Sequence, residues 1–234
     1  LEQQGARVLS FPVIEIVPIE NQELAQSLVQ EVQQIDILLF VSRNAVDGAF
    51  RMLDAVQLAS NRSYGVIGTA TRRALAERIT NLDQCLVAGE PYNSEALLDA
   101  DDLQQVAGKR IMIFRGQQGR NLLGEELAAR GAEVRYCEVY RRALPQRDPS
   151  AFNRLVADTF PTLAVLTSNE GMHNLFELVD AVAAERLLRI PWLLISERMR
   201  ESALKLGHNA SIVIAGNASD AGVQQSISEW ANQR

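Results

Sequence analysis

Three observations in the sequence predict an α/β fold with parallel sheets. Short apolar runs of strand length alternate with segments of helical periodicity along the chain, as is typical of parallel α/β sheets. The run 36–41 is apolar almost throughout, as expected for a strand buried on both faces. An internal repeat has a period of about half the chain, too long for a solenoid unit. Together these features predict two similar open parallel-sheet domains, with a deep interdomain cleft as the place for a ligand.

The repeat is clearest in two strand-like segments. Residues 4–18 align with residues 130–145, and in this alignment Ile14 falls opposite Tyr140. The repeat continues in the polar turns after later strands. One copy therefore carries an aliphatic side chain where the other carries a phenol.

The individual elements follow from apolar runs, caps and turn residues. Asn21 is a helix cap, with Leu24, Leu28 and Val32 on one helical face. Pro12 places the first strand at a sheet edge or outside the sheet, because proline cannot donate to a ladder. The predicted strands are 7–17, 36–41, 64–67, 84–88, 109–114, 132–142, 162–166, 192–195 and 211–215. The predicted helices are 21–34, 45–56, 68–79, one from 93, one ending at 131, one from 148, 167–179, 196–206 and one from 219.

Composition excludes several classes of function. The net charge of −6 argues against a general nucleic-acid binder, which needs a broad basic face. No apolar run approaches the roughly 20 residues of a membrane span, and no signal peptide is visible. His173 and His208 lie far apart and no Cys/His cluster has zinc spacing, so no metal site is expected.

The two cysteines, Cys85 and Cys137, give no disulfide framework. Both lie within apolar runs, so we expect reduced core residues and a cytoplasmic protein.

Polar residues recur just after the predicted strands. In open parallel sheets the carboxyl ends of strands line the ligand crevice, and the helix N-termini there favour anions. Such turns suit a substrate with several carboxylates, although Ser, Thr and Asn at helix starts are usually helix caps when each is taken alone. The residues are Ser42, Arg43, Asn44, Thr69, Thr71, Arg115, Thr167, Ser168 and Ser196.

Candidates for acid–base chemistry are few. Tyr140 is the best of them, because a phenol can donate a proton or hydrogen bond without titrating near neutrality. Half-buried packing in a strand is the alternative reading of Tyr140. The turn from Arg115 to Arg120 is either an anion site or a structural turn, and it lacks a full dinucleotide fingerprint and a Walker lysine.

These motifs together resemble the uroporphyrinogen-III synthase family along essentially the whole chain. The segments that carry the resemblance are 131–141, 40–45, 66–71, 93–97, 115–120 and 166–171. The resemblance implies an enzyme that cyclises hydroxymethylbilane, a linear tetrapyrrole, with loss of water and inversion of ring D to give uroporphyrinogen III. It implies no cofactor and no metal. It also makes Tyr140 the residue that assists departure of the hydroxyl and makes the polar turns substrate-binding.

The resemblance further implies two α/β domains joined by a two-stranded β linker. The expected boundaries are residues 1–11 with 143–234 for a discontinuous domain, 18–136 for the second domain, and 12–17 and 137–142 for the linker strands. The sequence departs from the family pattern in two places. The first strand of the discontinuous domain is not found, and the segment 196–200 replaces a loop that is usually rich in Gly and Thr.

Two other functions fit parts of the same sequence. A two-lobed binding module for an anionic small molecule would use the same halves and polar turns without catalysis. A nucleotide-dependent enzyme would rest on the turn from Arg115 to Arg120. We expect a monomer that binds neither nucleic acid nor membranes.

Overall fold

A computed structural model of the chain describes residues 1–58, 62–148 and 150–233, apart from the side chains of Gln4 and Val56. The described chain divides into two compact units. We call Ile16–Arg142 the central unit, and Leu1–Glu15 with Ala143–Arg234 the terminal unit, after their places in the sequence. Both units are α/β structures with sheets built mainly of parallel strand pairs, which confirms the predicted fold class at that level.

The central unit and the strand ends that continue from it contain the following elements in chain order: β1 (Glu15–Pro18), α1 (Gln22–Val32), β2 (Ile37–Phe40), α2 (Arg43–Met52), α3 (Ala55–Leu58), β3 (Ser63–Val66), α4 (Thr69–Ala76), β4 (Cys85–Val87), α5 (Ser94–Leu98), a 3₁₀ helix (Asp101–Leu103), β5 (Arg110–Gly116), α6 (Leu122–Ala129) and β6 (Glu133–Ala143). Within the described residues, the strands form a six-stranded sheet in the order β1-β6-β5-β2-β3-β4.

Strand β2 is the centre of this sheet. It pairs in parallel with β3 on one side and with β5 on the other. All four of its side chains are buried, so the apolar run correctly predicted a strand covered on both faces.

The two faces of the sheet have separate cores. Helices α1, α2 and α4 cover the face that carries Leu38 and Phe40, where Phe40 stacks on Phe114 with ring centroids 4.9 Å apart. Helices α5 and α6 cover the opposite face, which carries Ile37 and Leu39. The alternation of side chains along β2 therefore supplies both cores.

The terminal unit contains these elements in chain order: a 3₁₀ helix (Glu2–Gln4), α7 (Ala151–Leu155), β7 (Ala164–Leu166), α8 (Asn169–Leu178), α9 (Ala181–Leu188), β8 (Trp192–Leu194), α10 (Glu197–Lys205), β9 (Ile212–Ile214) and α11 (Asp220–Asn232). Within the described residues, its sheet is three-stranded and parallel, in the order β7-β8-β9. Trp192 is fully buried in its core.

The structure corrects the prediction of a long first strand. The predicted strand 7–17 is wrong for residues 7–14, because only Glu15–Pro18 forms a strand. Pro12 has no N–H for a ladder. Nearby, the carbonyl of Val13 accepts a hydrogen bond from the side-chain amide of Asn174, at 2.8 Å, instead of from a strand.

Helix boundaries also differ from the predictions. The predicted helix 45–56 is two helices, because α2 ends at Met52 and α3 begins at Ala55. Helix α9 was not predicted. Part of the predicted helix start near residue 148 falls on Pro149, which lies outside the described residues. The cap at Asn21 is confirmed, since its side chain accepts a hydrogen bond from the Leu24 amide at 3.0 Å.

Both cysteines are free thiols, as predicted. Cys137 is buried and Cys85 is half-buried. Burial raises the pKa of the Cys137 thiol to about 12 and that of Cys85 to about 11. Among the described helices, none combines the length and apolar character that crossing a bilayer requires.

His208 is a buried histidine in the terminal unit. Its ring packs on Trp192 with centroids 4.2 Å apart, and its Nε2 lies 3.0 Å from the Ile190 carbonyl oxygen. Nδ1 is buried and has no hydrogen-bond partner among the described residues. Burial lowers the pKa of His208 from its usual 6.5, because a charged ring would lose its hydration.

This geometry predicts that the terminal unit loses stability as the pH falls. Above the unfolded pKa the ring is neutral in both states, and its contribution to folding is complete. As the pH falls from about 7.5 to about 5.5, the unfolded chain binds a proton that the folded site resists, so unfolding becomes easier. Urea unfolding followed by tryptophan fluorescence measures this loss.

His208→Phe keeps a ring against Trp192 but cannot titrate, so the pH-dependent part of the loss should shrink. His173→Gln is the matched control, because His173 is exposed on α8. It should keep the pH dependence of the unmodified chain. Equal pH dependence in all three proteins would contradict the prediction.

Candidate active site

The central unit brings several predicted site residues to one edge of its sheet. Phe40 at the end of β2 lies in register with Val66 of β3 and with Phe114 of β5. The turns after these parallel strands therefore lie side by side at the carboxyl edge, as expected for an open α/β sheet.

Ser42 is the cap of α2. Its backbone is extended, and its Oγ accepts a hydrogen bond from the amide of Ala45 at 3.1 Å. The residue is half-buried. Ser42 thus satisfies one of the unpaired amides at the helix start, which is the role that capping serines usually have.

Tyr140 meets Ser42 at this edge, although the two residues are 98 positions apart. The Tyr140 side chain is buried, but the contact between its Oη and Ser42 Oγ, at 3.2 Å, is only partly buried. Either hydroxyl can be the donor. The structure therefore joins the predicted acid to a predicted substrate-binding residue.

A register shift positions the Tyr140 ring. The pairing of β5 with β6 slips between Arg115 and Gly116, so that Gly116 lies opposite Tyr140. A Cβ atom at Gly116 would lie 2.6 Å from the ring atoms Cε2 and Cζ. The amide of Gln117 also donates to the Tyr140 carbonyl at 2.8 Å. The absence of a side chain at Gly116 is what allows the ring to lie against the β5 backbone.

A second close approach brings α2 against β6. A Cβ atom at Gly48 would lie 2.7 Å from Val139 Cγ2 and 2.9 Å from the Val139 carbonyl oxygen. The helix can therefore rest directly on the strand that carries Tyr140. This packing brings Ser42, at the first turn of α2, within hydrogen-bond distance of the phenol.

The residues next to Ser42 are more exposed. Arg43 is exposed, and its Nε lies 3.6 Å from the carboxylate of Asp47, one turn along the helix. Asn44 is half-buried. An exposed ion pair of this kind contributes little to stability, so the Arg43 guanidinium is available at low cost to an anionic ligand.

The two threonines after β3 differ from each other. Thr69 is exposed at the first position of α4. Thr71 is buried, and its hydroxyl donates to the Ile67 carbonyl at 2.8 Å. Thr69 can offer a hydroxyl to a ligand, whereas Thr71 stabilises the turn.

Arg115 is buried and has partners within the central unit. Its guanidinium donates to Asn121 Oδ1 at 2.9 Å and to Glu138 at 3.2 Å. The guanidinium carbon lies 4.2 Å from the centre of the Tyr136 ring. These contacts favour a role in bracing the turn after β5, and direct substrate binding by Arg115 stays a prediction.

Arg120, at the other end of that turn, also has a partner. It forms an ion pair with Glu95 at 2.9 Å, and both side chains are exposed. Hydrogen bonds from the Glu95 amide and from Arg120 lower the pKa of this carboxyl. The turn that suggested a nucleotide site is thus tied to protein groups at both of its arginines.

The terminal unit holds the remaining predicted residues. Ser168 is half-buried and caps α8 by accepting from the Gly171 amide at 2.9 Å, and Thr167 beside it is exposed. Ser196 caps α10 by accepting from the Met199 amide at 3.4 Å. These turns repeat the arrangement around Ser42.

Sequence reasoning missed the groups that support Tyr140 and Arg115. The sequence shows Gly116 only as part of a polar turn, and no motif marks Gly48. Tyr136 and Glu138 alternate with buried residues along β6, which is the signal that could have placed them beside a β5 side chain. Among the described residues, no group of three or more His, Cys, Asp or Glu side chains could hold a metal ion.

Comparison with known proteins identifies the family. The family model described as "Uroporphyrinogen-III synthase HemD" matches residues 1–223. The chain belongs to the uroporphyrinogen-III synthase family. This confirms the resemblance found in the sequence.

Individual members of the uroporphyrinogen-III synthase family agree with this assignment. The chain is 34% identical over 223 residues to the uroporphyrinogen-III synthase of Escherichia coli K12, covering 93% of this chain and 89% of that protein. It is 34% identical over 221 residues to the Salmonella typhimurium protein of the same name, with the same coverage.

Solved structures of the uroporphyrinogen-III synthase family share the fold. A Helicobacter pylori uroporphyrinogen-III synthetase superposes with a TM-score of 0.65 at 14% identity, over 97% of this chain and 96% of that one. A mutant uroporphyrinogen III synthase from Thermus thermophilus gives a TM-score of 0.55 at 19% identity, over 100% and 92%. At these identities the likeness concerns the fold alone.

The contact between Gly116 and Tyr140 predicts the effect of one added methyl group. Gly116→Ala should displace the phenol ring, weaken its contact with Ser42 and destabilise the central unit by about 1–3 kcal/mol, the usual cost of overpacking. Urea unfolding followed by far-ultraviolet circular dichroism measures the change.

Gly89→Ala is the matched control in the same unit, because a Cβ atom there meets nothing within 4 Å. It should leave stability within about 0.5 kcal/mol of the unmodified chain. If both variants behaved alike, the close packing of Gly116 on Tyr140 would not be a real constraint.

Proposed function

We propose that this chain converts hydroxymethylbilane to uroporphyrinogen III in tetrapyrrole biosynthesis. Membership of the uroporphyrinogen-III synthase family over residues 1–223 is the observation that carries the proposal. The reaction releases one water molecule and inverts ring D as the macrocycle closes. No atom is oxidised or reduced overall, so the reaction needs no redox partner.

The proposed task of the protein is chiefly one of positioning. In the chemistry of this family, the linear substrate can lose water and close unaided to the wrong isomer. An enzyme must therefore hold a flexible chain in the geometry that favours the spiro intermediate, and such orientation can account for several kcal/mol of a barrier (roughly 7–11 in favourable systems). A rigid sheet edge with several turns suits this task.

The polar turns are proposed to bind the carboxylates of the substrate. Backbone amides at helix starts and exposed hydroxyls hold anions without a metal. Arg43 and Thr69 of the central unit are exposed, as is Thr167 of the terminal unit, so their side chains can reach a ligand. Asn44, Ser168 and Ser196 are half-buried and offer the same kinds of group with less freedom.

Tyr140 is proposed to protonate the hydroxyl that leaves. Its support is the partly buried contact with Ser42 at 3.2 Å, which holds the phenol oxygen at the carboxyl edge of the sheet. A neutral phenol can give a proton to the departing oxygen as the C–O bond breaks. The pyrrole nitrogen then supplies the electron pair that forms the azafulvene.

The finer architecture is part of the same proposal. The two linker strands, the domain boundaries 1–11 with 143–234 and 18–136, and a cleft that receives the substrate are expected from the family resemblance. A monomeric state and a cytoplasmic location are likewise predictions from the sequence.

The decisive experiment is an isomer assay. The protein is supplied with fresh hydroxymethylbilane, and the products are oxidised and separated by chromatography into type I and type III. We expect mainly the type III isomer, whereas the protein-free control should give type I. A product mixture equal to that of the control would overturn the proposal and leave the two-lobed binding module as the better reading.

Tyr140→Phe tests the proposed acid. We expect turnover to fall by roughly 10–10⁴-fold, up to the full contribution of general acid–base assistance, because the phenyl ring keeps the packing but has no proton to give. The initial rate of type III formation measures the effect.

Tyr64→Phe is the matched control. Tyr64 is a buried tyrosine of the same unit, and its hydroxyl donates to the Leu58 carbonyl at 2.7 Å. Its loss should lower stability by about 1–3 kcal/mol but leave turnover unchanged at temperatures where the variant is folded. An unchanged rate in Tyr140→Phe would assign Tyr140 to packing alone.

A further inference from the structure

We infer that Ser42 is a positioning residue that donates a hydrogen bond to the Tyr140 oxygen and thereby stabilises the phenolate formed when Tyr140 gives up its proton. The inference rests on the proposed function. It gives Ser42 a different role from the direct substrate contact that its place in a polar turn suggested. The observations that carry it are the two hydrogen bonds of the Ser42 hydroxyl and the arrangement of the terminal unit.

The number of available protons determines which hydroxyl donates in the hydrogen bond between Ser42 and Tyr140 during the reaction. A serine hydroxyl has one proton to donate and two lone pairs that accept. One lone pair of Ser42 Oγ already accepts from the Ala45 amide at 3.1 Å. When Tyr140 directs its own proton to the substrate, the contact of 3.2 Å can persist only with Ser42 as the donor.

The result is a chain of donors that ends on the phenol oxygen. The Ala45 amide donates to Ser42, and Ser42 donates to Tyr140. The amide belongs to the first turn of α2, where the helix dipole favours negative charge. Because the contact is partly buried, the interaction with a developing phenolate is less screened than it would be in water.

The proton balance closes over one turnover. Tyr140 gives its proton to the hydroxyl oxygen of the substrate, which leaves as water with the electron pair of the broken C–O bond. The phenolate stays bonded to the Ser42 hydroxyl while the azafulvene closes through the spiro intermediate. Closure at a ring carbon releases one proton when the pyrrole regains its aromaticity, and that proton restores the phenol.

The terminal unit has a corresponding capping serine, Ser168, and the residue that aligns with Tyr140 in the repeat is Ile14. Ser168 accepts from the Gly171 amide at 2.9 Å, as Ser42 does from Ala45. In the terminal unit, the segment packed near the start of α8 carries Ile14, and the Cδ1 atom of this isoleucine would lie 3.9 Å from a Cβ atom at Gly171. Capping explains the serine in both units. Of these two serines, as far as the described residues show, Ser42 is the one that lies within hydrogen-bond distance of a phenol oxygen able to accept its hydrogen bond.

We call the chain of donors from the Ala45 amide through the Ser42 hydroxyl to the Tyr140 oxygen the relay. A double-mutant cycle tests it. Ser42→Ala should lower the rate constant for type III formation by roughly 10–100-fold with little change in KM, because a charge-assisted hydrogen bond is lost only when the phenolate forms. In a Tyr140→Phe background the same substitution should have no further effect, since no phenolate arises. Equal effects in both backgrounds, or a rise in KM alone, would overturn the relay in favour of a direct substrate contact.

Two conservative variants separate donation from capping. Ser42→Thr keeps both the cap and the hydroxyl, so it should retain most of the rate. Ser42→Asp keeps the cap but has no proton to donate, so its rate should be as low as that of Ser42→Ala or lower. Recovery by aspartate would show that only the cap matters and would refute the inference.

Two further caps serve as controls. Asn21→Ala removes the cap of α1 in the same unit and should match the loss of stability in Ser42→Ala without changing the rate. Ser168→Ala should change the rate by the same factor in the presence and absence of the Tyr140 hydroxyl. Coupling of Ser168 to Tyr140 as strong as that of Ser42 would also count against the relay.

A spectroscopic measurement separates failure of the relay from failure of the proposed function. With ¹³Cζ-labelled tyrosine at a fixed pH, the signal of Tyr140 is the one absent from Tyr140→Phe. Its chemical shift should change in Ser42→Ala and return toward the original value in Ser42→Thr. An unmoved signal would refute the hydrogen bond whatever the activity, whereas a moved signal without type III product would refute the proposed function and leave the bond in place.

Discussion

The placement of β2 in the middle of the central sheet is the constraint on which the rest of the central unit depends. This strand pairs with a neighbour on each side and has no exposed side chain, so any slip in its register would move a complete set of apolar side chains to the wrong face. With its register held, the ends of β2, β3 and β5 lie at one edge. The turns that carry Ser42, Thr69 and Arg115 are therefore neighbours.

Two glycines allow close backbone contacts that any side chain at their positions would prevent. Gly48 lets α2 rest on β6, and Gly116 lets the Tyr140 ring lie on the backbone of β5. These two contacts bring a helix cap and a strand tyrosine to 3.2 Å from each other. Interiors are packed densely enough that one methyl group at either point would separate them. The contact between Ser42 and Tyr140 is thus a consequence of packing around the sheet, and not of any local sequence motif.

Arg115 shows how a residue with the chemistry of a substrate-binding group can instead contact and stabilise the protein around it. Its guanidinium bonds to Asn121 and Glu138 and lies on the Tyr136 ring, so its charge is balanced within the protein. Leaving a buried cation without such partners would cost several kcal/mol (about 3–5 when one partner of a buried pair is removed). The same strand then continues to Gly116 and the ring of Tyr140. A buried arginine therefore holds the strand end on which the phenol rests.

The sequence by itself determined the α/β class, most strands, the cap at Asn21 and the list of polar turns, because each depends on local periodicity or on one residue and its neighbours. It identified Tyr140 and Ser42 separately. Only the tertiary structure decided that these hydroxyls meet, that Thr71 and Arg115 are engaged internally, and that residues 7–14 form no strand. Those outcomes depend on sheet register and on contacts across 98 positions, between Ser42 and Tyr140, and 161 positions, between Val13 and Asn174. A single sequence has no periodic signal for contacts of this kind.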